Sequence, residues 1–432
     1  MVPKYGLTVA RNVVIANMIG TGIFTSLGFQ VMEGGIPNAA AILLVWMLGG
    51  LLALAGATCY AEVAATFQED GGEYHFLSKL YHPILGIASG IVSIITGFSA
   101  AIASLALAGG AYVAHFSHEI FNERYFAVGM ILLIAVIQWF GVSIGGKAQN
   151  FFTYIKVMLI AGLIALPLIF LSKSNYQNLD LSFSQETWNL VTSLAFPKAL
   201  VWVMFAYSGW NAATYIVGHL KNPEKNLPTA LLQATLFVTC IYVLINFSFM
   251  ASSPFENLAG QVDIGNVVVG TFFPAVGKEF FSLAIAISLL AGINAMFIAG
   301  PRVIQKMSLD LNWSGYFSKE SNSGAPRGAI LVQCLISISF VLLSSFKEMV
   351  EYIGVSLTLF SMLVVAGVFI IRFKKLDSKG VKALLYPLSP VLFIGMGLWI
   401  IYSFAVDDPV IILYTVLTVL PAIILYFLHK RA

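Results

Sequence analysis

Two short sequences interrupt long apolar segments, and both could present backbone polar groups to a ligand. Gly20-Thr21-Gly22 interrupts the first segment, and Tyr207-Ser208-Gly209-Trp210-Asn211 interrupts the sixth. A helix that stops inside a membrane leaves N–H or C=O groups without partners, which is costly unless water or a ligand satisfies them. The two interruptions therefore predict a binding site.

The polarity of these backbone groups predicts a zwitterionic ligand. N–H groups from Gly20 to Phe24 begin a second half-helix, whose dipole favours a carboxylate. Carbonyl groups of opposite polarity, which favour an ammonium group, belong to Met18, Ile19, Phe205 and Ala206. An α-amino acid carries both charges. Glycines in membrane helices also serve close packing, which explains one break more readily than a matching pair.

The elements that position these residues are predicted to be membrane helices. The 432 residues are 59% hydrophobic and 10% charged, whereas soluble domains show roughly 45–50% and about 25%. Each apolar segment is near the roughly 20 residues that cross a bilayer. We predict an all-α integral membrane protein with twelve spans, at 8–32, 38–66, 83–115, 125–144, 149–172, 192–218, 228–252, 276–305, 328–345, 349–373, 383–404 and 408–428.

The two broken segments divide the chain into related halves. Five spans separate their starts, and an odd number places the second half in the opposite orientation, which is an inverted repeat. We predict one membrane domain over 1–432, with repeats at about 8–172 and 192–373 and accessory helices at about 383–428.

The distribution of basic residues predicts orientation. Of the 23 lysines and arginines, 17 fall on the side of both termini. The positive-inside rule therefore places both termini in the cytoplasm. We predict that the protein lies in the inner (cytoplasmic) membrane of the cell. The N-terminus lacks the pattern of a cleavable signal peptide. No basic stripe alternates with aromatic residues, which argues against nucleic-acid binding.

The sequence contains little that favours an enzyme or a metal site. Cys59, Cys240 and Cys334 lie singly in apolar segments, without metal-ligand spacing, and are predicted to be small core residues. No paired histidines, paired carboxylates or Ser–Lys arrangement can be placed inside the membrane. We therefore predict no catalytic residue, metal or cofactor. Because no extracellular cysteine is available for a covalent link, we predict no obligatory partner subunit.

Several motifs resemble signatures of the amino acid–polyamine–organocation superfamily, and within it the L-amino acid transporter family. The resemblance covers the whole chain and implies the five-plus-five inverted repeat of LeuT-like transporters, with broken helices 1 and 6. The motifs are Gly20-Thr21-Gly22-Ile23-Phe24, the segment from Phe205 to Asn211, Lys221-Asn222-Pro223-Glu224-Lys225-Asn226-Leu227-Pro228, Tyr60-Ala61-Glu62, Gly71-Gly72-Glu73-Tyr74 and Gly300-Pro301-Arg302.

The resemblance also implies roles for individual residues. N–H groups near Thr21 and Gly22 would hold the substrate carboxylate, and carbonyls of Met18 and Phe205 would take its amine. The Phe205 ring resembles the family's gate, and Asn211 matches a polar residue that braces the break. The full substrate-binding prediction is Met18, Ile19, Gly20, Thr21, Gly22, Ile23, Phe205, Ala206, Ser208 and Asn211.

Lys156 lies deep in the fifth span, where a lysine costs roughly 2.5–3.5 kcal/mol on insertion scales and needs partners. In related transporters a lysine here resembles a fixed cation that replaces a sodium ion. We predict coupling roles for Lys156, for Tyr242 beside the broken helices, and for Ser288 as a partner of Lys156 in the eighth span. The alternative is that Lys156 extends its ammonium group to the membrane interface.

The resulting functional prediction is a secondary transporter of small neutral L-amino acids. It would work by alternating access without sodium, as an exchanger or a proton-coupled permease. A cationic amino acid or polyamine carrier is the alternative, although no acid lies in the middle of spans one, three, six or eight. A non-transporting sensor would keep the same pocket, but the chain contains no soluble signalling domain.

Overall fold

The computed structural model describes residues 4–116, 122–170, 176, 179–261, 264–273, 277–313, 315–343, 346–407 and 409–431. A helix covers each of the twelve predicted segments. In chain order these helices are Leu7–Met18 with Gly22–Gln30, Ala39–Thr66, Pro83–Val92 with the π-helix Ser93–Ala100 and Ala101–Phe116, Glu123–Trp139, Val142–Ile169, Ala195–Tyr207 with the 3-10 helix Ala212–His219, Pro223–Ser252, Gly277–Asp310, Arg327–Leu343, Phe346–Phe373, Leu388–Asp407 and Pro409–Arg431.

Shorter helices lie in the connections. They are Glu73–Leu80, Gln185–Val191, Phe255–Leu258, Ile264–Phe272 and Gly315–Ser318. Within the described ranges, seven helices are long and apolar enough to cross a membrane, or eight if the bent pair Gln185–Val191 and Ala195–His219 forms one span. The all-helical membrane class is therefore confirmed, whereas twelve crossings and the inverted repeat remain predictions.

The first segment lies at the centre of the bundle. Helix Leu7–Met18 packs against Pro223–Ser252, Gly277–Asp310 and Val142–Ile169, and most of its side chains are buried. The neighbouring helix Val142–Ile169 instead exposes large apolar side chains on its other side, such as Phe151, Met158 and Leu168. Hydrocarbon can cover such side chains at no hydrophobic cost, so this arrangement suits a bundle surrounded by lipid.

We define the N-terminal face as the end of the molecule formed by Tyr5, the 67–72 connection, the 219–221 segment and the 311–326 connection. The Tyr5 N–H donates to the His219 carbonyl over 2.8 Å, and the Lys221 N–H donates to the Tyr5 carbonyl over 2.9 Å. These bonds fix the chain start against the end of the sixth segment.

Candidate functional site

The first break leaves a short run of unpaired N–H groups. Helix Leu7–Met18 is capped by Ile19, and the second half-helix begins at Gly22. Between them, the Gly20 N–H donates to the Met18 carbonyl over 2.9 Å. Among the described residues, the N–H groups of Thr21, Gly22 and Ile23 make no hydrogen bond, whereas that of Phe24 donates to the Thr21 carbonyl. The start of this half-helix can therefore receive an anion.

The sixth segment breaks in an extended turn. Helix Ala195–Tyr207 ends at Ser208, whose ψ is 154°, and Gly209 then adopts φ +90° before the 3-10 helix starts at Ala212. A Cβ atom at Gly209 would also lie 3.1 Å from Asn17. Glycine is favoured here because it tolerates both the positive φ and the close approach.

The two breaks are in direct contact. A Cβ atom at Gly22 would lie 2.8 Å from the Ala206 Cα and 3.3 Å from the Phe205 ring. Real Cβ atoms essentially never come that close to a backbone carbon. Any larger residue at position 22 would therefore push the first and sixth segments apart.

Tyr242 connects both breaks to the seventh segment. Its buried hydroxyl lies 2.6 Å from the Met18 carbonyl oxygen and 2.9 Å from the Ala206 carbonyl oxygen. A phenol has one hydrogen to donate, so the two carbonyls share it. This contact agrees with the prediction that Tyr242 lies beside the broken helices.

A cavity of about 330 Å³ lies where the breaks meet. This volume is at the lower end of small-molecule sites, which span roughly 300–1,000 Å³. Eight of the predicted binding residues line it, namely Met18, Gly20, Thr21, Gly22, Phe205, Ala206, Ser208 and Asn211. Ile19 and Ile23 do not line it and are fully buried behind the wall.

Lys156 contacts the first break from behind. Its ammonium group is fully buried and donates to the carbonyl of Ala16 over 3.1 Å and to that of Ile19. It does not extend to an interface. The predicted pairing with Ser288 is absent, because that hydroxyl donates to Ile285 in its own helix over 2.8 Å. The neighbour of Lys156 in that helix is Gly292.

Asn17 is an acceptor that sequence reasoning missed. The Met18 carbonyl, expected to take a substrate amine, already accepts from Gly20 and Tyr242. The Asn17 Oδ1 atom is instead buried without a partner among the described residues, and Asn17 lines the cavity. Its position next to the break was the only available signal in the sequence.

Glu73 is the second residue that was missed. It begins the helix that follows the second segment, yet it lies in the cavity wall. Its Oε1 atom accepts from Tyr60, from Asn211 over 3.0 Å and from Ser361 over 3.1 Å. Burial raises the pKa of Glu73 to about 7, against the opposing effect of these three hydrogen bonds. The structure therefore places an acidic side chain beside the breaks. This acid comes from the connection after the second segment, whereas the sequence prediction considered only acids in the middle of spans one, three, six and eight.

An ionic cluster lies at the N-terminal face. His219 lies between Asp70 and Glu320, with its Nε2 atom 3.1 Å from Glu320. Arg302 donates to Glu320 over 2.6 Å and to the Gly324 carbonyl over 2.6 Å. The hydrogen bond from His219 and the nearby Arg302 charge lower the pKa of Glu320 to about 2, against the effect of burial. Three connections meet in this cluster.

The cysteines and the potential metal ligands do not form a metal-binding cluster in the described part of the chain. Cys59 and Cys334 are buried as expected, but Cys240 is exposed, so its prediction as a core residue is wrong. The side of its helix that carries Cys240 faces outward from the bundle. The described residues include no group of three His, Cys, Asp or Glu side chains that could hold a metal ion.

The sequence matches the amino acid permease family over residues 10–428. It is 28% identical over 440 residues to the b(0,+)-type amino acid transporter 1 of Mus musculus, which covers 98% of this chain and 87% of that protein. It is 27% identical over 434 residues to the serine/threonine exchanger SteT of Bacillus subtilis, covering 99% and 97%. It is also 27% identical over 411 residues to the large neutral amino acids transporter small subunit 2 of Mus musculus, covering 90% and 74%.

Proposed function

Because this chain belongs to the amino acid permease family, we propose that it carries small neutral L-amino acids across the cytoplasmic membrane by alternating access. The family and the apolar helices make it a multi-pass membrane protein, and its named relatives are transporters rather than enzymes. The observation that carries the proposal is the cavity where two broken helices present unpaired N–H groups and an unpaired acceptor.

The substrate would bind across the two breaks. Its carboxylate would receive hydrogen bonds from the N–H groups of Thr21 and Gly22, which line the cavity and where the half-helix dipole adds to the attraction. Its ammonium group would lie toward Asn17 Oδ1, a cavity acceptor that has no hydrogen-bond partner among the described residues. The small volume favours short side chains.

Alternating access would require the N-terminal face to open. The His219 cluster connects three segments of that face, and the cavity wall reaches Lys198 and Trp202 in the first half of the sixth segment. We propose that the N-terminal face is cytoplasmic, in agreement with the distribution of basic residues, and that the sixth segment moves when the cluster separates.

Sodium would not be required. The buried ammonium of Lys156 already supplies a positive charge to the carbonyls of Ala16 and Ile19. These acceptors are of the kind that hold a sodium ion at unwound helices. A second cation would meet repulsion there.

A cationic substrate and a partner subunit are the alternatives. Glu73 in the cavity wall favours a cationic substrate more than the sequence suggested, whereas one relative is named for serine and threonine, which are small and neutral. Another relative is named a small subunit, so that protein is one part of an assembly. We propose that this chain works alone.

The test is uptake by purified protein in liposomes. Liposomes preloaded with unlabelled alanine would receive radiolabelled alanine, serine, leucine or arginine, in sodium or choline buffer. We expect uptake of alanine and serine that is stimulated by internal substrate and equal in the two buffers. Arginine preference would support the cationic alternative, whereas binding without uptake would support a sensor. Loss of uptake in choline would contradict sodium independence.

A further inference from the structure

Glu73 is a carboxylic acid with two very different oxygens. Oε1 accepts hydrogen bonds from Tyr60 in the second segment, Asn211 in the sixth break and Ser361 in the tenth segment. Oε2 is buried and has no hydrogen-bond partner among the described residues. An ionised carboxylate would leave charge on this bare oxygen in an apolar wall, which is costly.

The groups that face Glu73 do not neutralise it. Its titratable neighbours are Tyr60 and Tyr215, each of which is fully buried. Asn211 and Ser361 are uncharged, and no Lys, Arg or His in the described ranges forms an ion pair with Glu73. Without a countercharge, a bound proton is the simplest way to neutralise the buried acid.

We propose that Glu73 is a proton-binding site that couples proton movement to amino acid transport. A proton from water in the cavity binds Oε2, leaving neutral glutamic acid whose Oε1 keeps its three donors. The same proton later leaves to water on the other side, so no bond other than O–H changes. This inference rests on the proposed transport function and deepens it, because it names the coupling ion.

Asn211 supplies the link between the proton and the moving helix. It belongs to the sixth break, lines the cavity and donates to Glu73. The sixth segment continues directly to His219, which pairs with Asp70 in the ionic cluster of the N-terminal face. When that face opens, movement of the sixth segment would remove the Asn211 bond and admit water to Oε2. The proton would then be released on that side.

The transport test compares wild type with Glu73→Gln and Glu73→Asp in liposomes that contain a pH-sensitive dye. Glu224→Gln, a change at an exposed acid, is the matched control. We expect serine addition to drive proton entry in wild type and in the control. The number of protons per serine should fall at least about fivefold in Glu73→Gln, and Glu73→Asp, which restores a titratable group, should recover part of it.

The outcomes separate the two proposals. Serine uptake by wild type without proton movement would overturn the proton site but leave transport intact. Unchanged proton movement in Glu73→Gln would overturn it as well. No uptake of any amino acid by wild type would contradict the proposed transport function, and the proton site would then be decided by a measurement that needs no transport.

That measurement is thermal stability in detergent as a function of pH. Because the native pKa is raised to about 7 from about 4.3 in an unfolded chain, the native state binds more protons between these values. Wild-type stability should therefore fall as pH rises from about 4.5 to 7, relative to Glu73→Gln, and the difference should level off above that. A constant difference between the two proteins across this range would overturn the proposal.

Discussion

Lys156 places its amino group inside the bundle with only backbone carbonyls as described hydrogen-bond partners. Removing the ammonium leaves the carbonyls of Ala16 and Ile19 without that donor, at the point where the first half-helix ends. Displacements of about 1 Å at a substrate site can cost about 100-fold in rate. We therefore expect a large effect on transport from a change that keeps the side chain's length.

Lys156→Met should reduce amino acid exchange in liposomes at least tenfold, which is on the order of 1.4 kcal/mol or more. The matched control is Lys147→Met, because Lys147 lies on the exposed side of the same helix. The control should exchange at close to the wild-type rate. Exchange by Lys156→Met within a factor of two of wild type would show that the ammonium has no part in transport.

Residue-level prediction from sequence was limited by tertiary packing. The breaks at Gly20 and Gly209 were visible because glycine and polar residues interrupt apolar runs. The position of Glu73 was not visible, because it depends on how the 67–72 connection folds back beneath the sixth segment. The sequence indicates Ser288 as a partner only through its polarity, whereas its hydroxyl donates to the Ile285 carbonyl within its own helix.

At the scale of elements, Tyr242 links three helices through one hydroxyl. The half-helices Leu7–Met18 and Ala195–Tyr207 each end at a carbonyl that Tyr242 contacts from Pro223–Ser252. Without this hydroxyl the Met18 carbonyl keeps its bond from the Gly20 N–H, whereas the Ala206 carbonyl loses its described donor. A buried carbonyl that loses its donor costs about 1–3 kcal/mol. This hydroxyl should therefore contribute both to stability and to the geometry of the breaks.

Tyr242→Phe should lower the melting temperature in detergent by a few degrees and reduce exchange several-fold. Tyr402→Phe removes a hydroxyl from a largely exposed side chain and serves as the control. The control should match wild type in both measurements. If Tyr242→Phe were as stable and as active as the control, the bridge would have no energetic role.

The long helices were predictable because continuous apolar runs determine their position. The short ones were not: Gln185–Val191 and Ile264–Phe272 lie in segments predicted to be plain connections. The π-helix Ser93–Ala100 inside the third segment also had no signal. A wider helical turn leaves the apolar pattern almost unchanged, so hydrophobic periodicity does not reveal it.

At the scale of the whole molecule, the His219 cluster connects separate segments of the chain at the N-terminal face. Asp70 accepts from the Gly218 N–H over 2.7 Å and pairs with His219, so it ties the 67–72 connection to the end of the sixth segment. Hydrogen bonds to charged groups contribute about 1.5–3 kcal/mol. Weakening this pair should make the N-terminal face open more often.

Asp70→Asn should increase hydrogen–deuterium exchange of the amides in 214–221 by about tenfold, corresponding to about 1.4 kcal/mol. Asp377→Asn is the control, because Asp377 forms an exposed surface pair with Lys379. The control should leave exchange in 214–221 unchanged. Equal protection in Asp70→Asn and wild type would show that other contacts keep this face closed.

Counterflow exchange of serine by wild type and Gly22→Ala in liposomes tests whether the paired breaks form the substrate site. The added Cβ would lie 2.8 Å from the Ala206 Cα and force the two breaks apart, whereas Gly129→Ala adds a Cβ in open space. We predict that wild type and Gly129→Ala exchange internal for external serine, and that Gly22→Ala loses at least tenfold while remaining folded. Equal exchange by all three proteins would contradict a substrate site formed by the paired breaks.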